Sequence, residues 1–183
     1  MKYIHIESFL NEQENQKLFS WCVNNPQPFT PSTVTTNEQS HRRSRVAYSC
    51  PWVTLVTNKV KSLIPTITKA LDLAITEISS IESQVTAHLN GDFFKIHTDK
   101  NDQHCLHRVI SYIYYFHSLP KSFEGGELAL YSDREKRDRV LITPDNNTLV
   151  CFSSTTWHEV LPVVGGTATK DGRFTVNGWI NCL

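Results

Sequence analysis

Residues 148–164 read TLVCFSSTTWHEVLPVV. Residues 148–153 form a short apolar and β-branched run, Ser-Thr-Thr at 154–156 is a polar break, and 158–164 is a second apolar run. Two such runs, each too short for a helix and separated by turn-forming residues, read as consecutive strands. Working outward, the same rhythm continues on both sides. Runs rich in Ile, Val, Tyr, Phe and Thr occupy about 77–90, 92–98, 108–117, 126–132, 139–143, 148–153, 158–164 and 173–181. Short strands at that spacing predict an all-β sandwich or barrel. Before residue 75 the pattern differs. KYIHI at 2–6 predicts a short strand. Asn11 with Glu14 has the spacing of a capping box, and Leu18, Trp21 and Cys22 fall on one helical face, which predicts a helix over 11–24. A second helix is expected over 52–73, broken or restarted at Pro65. Between the helices, 25–43 carries three prolines and no periodicity, the mark of a functional or mobile loop. The expected architecture is mainly β with N-terminal helices. A helical layer over about 1–75 backs a jelly-roll double sheet over about 76–183, in one domain spanning 1–183.

Composition excludes several classes. Lys plus Arg and Asp plus Glu are 18 each, so the formal charge is zero. That argues against a general binder of nucleic acid or anionic membranes. The five cysteines are odd in number and form no CxxC pair, so a disulfide framework or zinc ribbon is not expected and reduced thiols in the cytoplasm are. His5 and Glu7 interrupt the apolar stretch that a signal peptide needs. No apolar run approaches the roughly 20 residues of a membrane span.

In DFFKIHTDK (92–100), His97 and Asp99 are two apart. On a strand they would project to one face, as two metal ligands must. Taken alone, the pair equally describes a polar strand face. His158, at the start of another strand, could add a second imidazole. Two histidines and one carboxylate make the facial triad of non-haem Fe(II) oxygenases, with open positions on one side of the metal. Arg173 opens the last run, where Arg173, Thr175, Asn177 and Trp179 share a face. A guanidinium inside a barrel needs an anion, and a forked carboxylate matches it best.

Together, His97-Thr-Asp99, Phe123-Glu-Gly-Gly-Glu-Leu128, His158-Glu-Val-Leu-Pro162 and Arg173-Phe-Thr-Val-Asn-Gly-Trp179 resemble the prolyl-4-hydroxylase branch of the 2-oxoglutarate/Fe(II) dioxygenases, over about 84–181. The resemblance implies a double-stranded β-helix core. It implies that His97, Asp99 and His158 bind Fe(II) and that Arg173 pairs with the distal carboxylate of 2-oxoglutarate. Tyr115 in RVISYIYYFHSLP would bond the same carboxylate, and parity agrees: Ser111, Ile113, Tyr115 and His117 share a face while Tyr112 and Tyr114 take the other. Leu128 and Leu130 would line the pocket, with Val160 and Trp179 as further walls. Gly125 and Gly126 would serve the backbone at a strand entry. The implied reaction hydroxylates an unactivated C–H bond with O2 and releases succinate and CO2, with ascorbate as an accessory reductant. The implied substrate is a prolyl or other amino-acid residue in a peptide, a free amino acid or a small metabolite. Nucleic acid is disfavoured, because the last run lacks the second Arg of that branch.

The chain also departs from the family pattern. Fifteen residues separate His158 from Arg173, and the insert GGTATKDG reads as a hairpin extension that holds Lys170 in a turn. His88 and Leu89 stand where a Tyr often precedes the iron motif. His41-Arg-Arg-Ser-Arg45 reads either as a solvated loop end or as a binding point for a carboxylate-bearing substrate. Residues 135–139 read as a solvated hairpin tip, His104, His107 and His117 as structural, and Cys151 as core. Two other classes are a non-catalytic jelly-roll binding module and a cupin-like metal enzyme, the latter expected to show a denser histidine cluster.

Overall fold

The computed structural model describes residues 1–25, 29–32, 41–75, 77–100 and 105–183. In chain order the elements are β1 (Tyr3–Ile6), α1 (Glu12–Asn24), β2 (Thr30–Pro31), β3 (Arg42–Arg43), β4 (Arg45–Ala47), α2 (Val53–Leu71), β5 (Ile78–His88), β6 (Phe93–His97), β7 (Arg108–Phe116), β8 (Phe123–Gly125), β9 (Leu128–Tyr131), β10 (Arg139–Ile142), β11 (Thr148–Ser153), β12 (Trp157–Val160), β13 (Val163–Gly165) and β14 (Arg173–Cys182). A one-turn 3-10 helix (Thr169–Asp171) precedes β14.

The strands form a seven-stranded sheet ordered β1-β11-β7-β14-β5-β4-β2 and a five-stranded sheet ordered β10-β9-β12-β6-β3, with β13 and β8 as a separate ribbon. Every described pairing is antiparallel. Period-two alternation sorts the large sheet's side chains into two cores. One face of β7 gives Tyr112, Tyr114 and Phe116 to a core shared with the helices, which also takes Val176 and Ile180 of β14. The opposite face gives Ile113 and Tyr115 to a core with Leu128, Leu130, Val150 and Phe152, between the two sheets. The expected helical layer on a jelly-roll double sheet is therefore observed.

The helices form for local reasons. Asn11 caps α1 by accepting from Glu14 N at 2.9 Å, and Glu14 accepts from Asn11 N at 3.0 Å, which completes the capping box. In α2, Val56, Val60, Ile64, Ile67 and Leu71 form a buried stripe at three- and four-residue steps. The helix runs through Pro65 without the expected break. Pro65 and Lys61, whose carbonyl loses its donor, both lie on the exposed face, where water can satisfy it.

Other differences sit where backbone chemistry interrupts a run. The 158–164 run is two strands in two sheets, because Pro162 has no N–H to continue the ladder. The 126–132 run starts only after Gly126. The insert before Arg173 is the 3-10 turn, not a hairpin. The expected loop supplies β2, β3 and the approach to β4, while its residues 26–28 and 33–40 lie outside the described residues. The 135–139 segment is not simply solvated: Lys136 Nζ donates to both Glu159 oxygens at 2.7 Å, and Tyr131 donates to the same carboxylate. No helix among the described residues is long and apolar enough to cross a membrane.

The site depends on β14, which is hydrogen-bonded to β5 on one side and β7 on the other. Gly178 lets the Tyr112 ring lie directly against this strand, since a Cβ there would collide with the ring and its hydroxyl. Gly178→Ala is expected to cost about 1–3 kcal/mol through overpacking, measured as a lower midpoint in chemical denaturation. A midpoint equal to wild type would show that this contact does not constrain the strand.

Candidate metal and co-substrate site

His97 ends β6 and His158 lies in β12, and the antiparallel register makes them direct cross-strand partners. Their rings are 4.1 Å apart by centroid. Asp99 lies beyond the strand, so its direction is not set by strand parity as expected. Instead its N–H donates to Ser154 O at 3.0 Å, which turns the side chain back toward the histidines. Asp99 Oδ1 is 3.7 Å from His97 Nε2, and Oδ2 is 3.5 Å from His158 Nε2. One ligand atom from each of the three residues falls within 4.8 Å of the others. Among the described residues this is the only histidine, cysteine and carboxylate group of that kind.

The surroundings select the protonation state that a metal needs. His97 Nδ1 lies 2.7 Å from Lys95 O, and His158 Nδ1 lies 2.9 Å from Thr156 O. A carbonyl only accepts, so each Nδ1 carries a proton, and the tautomer this selects for a neutral ring is the one that offers Nε2 to a metal. Burial, followed by the neighbouring His158, lowers the His97 pKa to about 3, so the ring is neutral at physiological pH. Burial alone would raise the Asp99 carboxyl. His158, His97 and hydrogen bonds from Ser111 and Trp179 outweigh it and keep the group ionised. The Ser111 hydroxyl donates to Asp99 Oδ2 at 2.6 Å. Trp179 therefore stands beside Asp99, under the Arg108 guanidinium at 3.9 Å from its ring, six residues along β14 from Arg173.

Arg173 is 1% exposed and has no carboxylate partner among the described residues. Its Nε donates to Gly126 O at 2.8 Å, and Nη1 lies 3.3 Å from His88 Nδ1. Gly126 is required at that point: its φ is +69°, and a Cβ would lie 2.7 Å from Arg173 Cδ. The guanidinium lies 5.0 Å from the Tyr115 ring centroid. Burial lowers the guanidinium's proton affinity and pushes the Tyr115 phenol up to about 12. Burial, then Arg173, holds His88 well below the ordinary histidine value, so it is neutral.

Among the described residues, four buried polar atoms here have no partner within hydrogen-bond distance: Arg173 Nη2, Tyr115 Oη, Thr175 Oγ1 and His88 Nε2, although the Tyr115 hydroxyl and the guanidinium are close enough to influence each other. Register places them together. Arg173 pairs with His88, and Thr175 pairs with Tyr115. Buried polar groups are normally satisfied, so this cluster fits a ligand rich in acceptor atoms. Leu128 and Leu130 pair with Val160 and His158 across the sheets' inner face, linking the cation to the His-Asp-His group by an apolar wall. The donor set thus fits Fe(II) at one end and a carboxylate at the other. In the sequence, His88 stands out only as a departure from the family pattern and Thr175 only as a residue on the Arg173 face. Lys170 is exposed. His117 Nδ1 meets Ser118 O at 2.8 Å with the ring edge-on to Phe123, away from the triad. Cys151 is fully buried core, and His104 lies outside the described residues.

Comparison with known proteins gives the same picture. The family model described as the 2OG-Fe(II) oxygenase superfamily matches residues 83–181. An uncharacterized PKHD-type hydroxylase from Synechocystis sp. is 35% identical over 189 residues, covering 97% of this chain. The chain spans 62% of the length of that relative. A Trichoplax adhaerens prolyl hydroxylase, solved with a hypoxia inducible factor peptide fragment, superposes with a TM-score of 0.78 at 20% identity, over 99% of this chain and 84% of that one. A Pseudomonas putida prolyl-4-hydroxylase gives 0.74 at 19% identity, over 100% and 93%. At such identities the two structures establish the shared fold. The family match takes in more than half of the sequence and includes His97, Asp99, His158, Arg173 and Tyr115, so the chain belongs to the 2OG-Fe(II) oxygenase superfamily.

Proposed function

We propose that this protein is an Fe(II)- and 2-oxoglutarate-dependent hydroxylase acting on an unactivated C–H bond of a prolyl or other amino-acid residue in a peptide, or of a free amino acid. The observation that carries the reading is the cluster of unsatisfied donors around the buried Arg173, in the same inter-sheet space as the His97, Asp99 and His158 group. When bound, Fe(II) with 2-oxoglutarate and O2 supplies the oxidising power, releasing succinate and CO2.

The chain's own residues bind and orient. His97, Asp99 and His158 hold the metal through two Nε2 lone pairs and a carboxylate oxygen. Lys95 O, Thr156 O, Ser111 and Trp179 keep those ligands aimed. Arg173 takes the distal carboxylate of the co-substrate, with Tyr115, Thr175 and His88 donating to the same group. Leu128, Leu130 and Val160 exclude water along its chain. Ascorbate would serve as an accessory reductant. The two prolyl hydroxylases of like fold support a peptide substrate. Cys22, Cys50, Cys151 and Cys182, which form no disulfide among the described residues, fit a reducing cytoplasm, and the described elements are proposed to serve one catalytic domain.

Purified protein given Fe(II), ascorbate and 2-oxoglutarate is expected to release succinate, and its absence together with absent metal-dependent 2-oxoglutarate binding would refute the reading. His97→Ala should lose Fe(II) in a metal titration. Arg173→Ala should keep Fe(II) but bind 2-oxoglutarate about 100-fold or more weakly, as expected for breaking a buried, charge-assisted pair. Equal loss of both ligands in both variants would contradict the assigned roles.

His88 tests the extra donor. His88→Leu removes one hydrogen bond to an ionised group and should weaken 2-oxoglutarate binding about tenfold. His88→Gln, which keeps a donor, should restore most of it. Unchanged affinity in His88→Leu, measured by calorimetry on the Fe(II)-loaded protein without O2, would remove His88 from the site.

A further inference from the structure

A second cation stands on the metal side of the pocket. Phe94 lies flat against His97, with ring centroids 3.6 Å apart and planes at 19°. The Arg42 guanidinium lies 4.8 Å from the centroid of the same Phe94 ring. His41 meets Phe94 edge-on at 5.7 Å and His97 at 6.4 Å. Arg42 is therefore one aromatic ring away from a metal ligand.

Its position is built rather than incidental. In the β3–β6 ladder Arg42 is the direct partner of Phe94. Lys95 N donates to His41 O at 2.9 Å, which continues the pairing. Arg42 Nε donates to the buried Ser44 Oγ at 2.9 Å, and that hydroxyl meets Ser32 Oγ at 2.8 Å. Anchoring Nε in this way fixes the orientation of the guanidinium fork, the arrangement that suits a carboxylate.

Other arginines here have carboxylate partners. Arg43 pairs with Asp92 at 2.8 Å, Arg108 with Glu82 at 2.6 Å and Arg137 with Asp133 at 2.6 Å. Among the described residues no carboxylate lies within ion-pair distance of Arg42. Burial lowers its proton affinity, and its charge is felt at Asp99, His97 and His88. On the proposed reading, the charges of Fe(II), Asp99, doubly ionised 2-oxoglutarate and Arg173 cancel. Arg42 then leaves one positive charge beside the metal once the co-substrate is in place. A desolvated cation there favours an anionic substrate over a neutral one of the same shape.

We propose that Arg42, set on Phe94 and flanked by His41, is the substrate's anion subsite, and that the substrate carries a carboxylate close to the C–H bond that reacts. This rests on the oxygenase reading above. The carboxylate could belong to an acidic side chain, a peptide C-terminus or a free amino acid, and matched probes separate these sources.

The test uses the full chain loaded with Fe(II) and saturating 2-oxoglutarate without O2. Three pairs, each differing by one charge, are titrated by calorimetry or ligand-observed NMR to about 10 mM, the weak end of specific binding. They are acetyl-Pro-Asp-amide against acetyl-Pro-Asn-amide, acetyl-Ala-Pro acid against its amide, and L-proline against L-prolinamide. In at least one pair the carboxylate member should bind about tenfold or more tightly, and that pair names the source. Arg42→Gln should bring its two members to within about threefold, whereas Arg137→Gln, the same charge change at an exposed site, should preserve the preference. The proposal is overturned if no pair favours the carboxylate in the wild type, or if the preference survives in Arg42→Gln. It is also overturned if Arg42→Gln loses 2-oxoglutarate as Arg173→Ala does, which would place Arg42 in the co-substrate site. Wild-type protein that fails to bind 2-oxoglutarate with Fe(II) present would instead overturn the oxygenase reading and everything built on it.

Discussion

The feature on which the rest depends is a buried cation without a buried anion. Arg173 is 1% exposed, yet its described partners are a backbone carbonyl, a neutral histidine and the face of a tyrosine. Burying a guanidinium in this way is costly unless an anion completes it. The surrounding fold accepts that cost in several places at once. Gly126 leaves room for the side chain, β14 is paired on both sides, and three more polar groups remain unsatisfied around the same point. A chain that needed only a stable core could place an apolar residue there. The arrangement is economical only if the missing partner arrives as a ligand, and the donor geometry asks for a carboxylate.

The other end of the pocket follows the same logic with the opposite ligand charge. Two backbone carbonyls hold protons on the Nδ1 atoms and leave both Nε2 atoms facing Asp99. Low dielectric keeps His97 neutral while hydrogen bonds keep Asp99 ionised. A divalent cation would enter a site that has no proton to release from those two groups at physiological pH, which lowers the work of assembly. Between the two charged ends lies the apolar inner face of β9 and β12. Arg42 then adds a third charge at the β3 edge, in the part of the fold contributed by the segment between the helices.

Much of this was legible in the sequence, and the parts that were not share a cause. Period-two runs and the Asn11–Glu14 cap are local patterns, so the strands and α1 could be read residue by residue. That His97, Asp99 and His158 belong together, and that Arg173 and Tyr115 share a second place, was legible because their motifs come in a recognisable order. Partners set by register were not. Nothing in the spacing of His88 says that it faces Arg173, or that Trp179 turns to Asp99 rather than to the co-substrate end. Asp99 meets the two histidines through a turn tied to Ser154 instead of strand alternation. The continuity of α2 through Pro65 depends on which helix face meets water, and the pairing of Arg42 with Phe94 joins segments 52 positions apart, so tertiary context decides both.

On the proposed reading, the buried cation is reserved for the distal carboxylate of 2-oxoglutarate. The most direct measurement compares 2-oxoglutarate with 2-oxovalerate, which keeps the keto acid and the chain length but replaces the distal carboxylate with a methyl group. Titrated into Fe(II)-loaded protein without O2, 2-oxoglutarate should bind about 100-fold or more tightly, because only it satisfies Arg173 and the donors around it. Equal affinity for the two acids would contradict the account, since the unsatisfied groups at Arg173, Tyr115, Thr175 and His88 would then have no part in recognising the ligand.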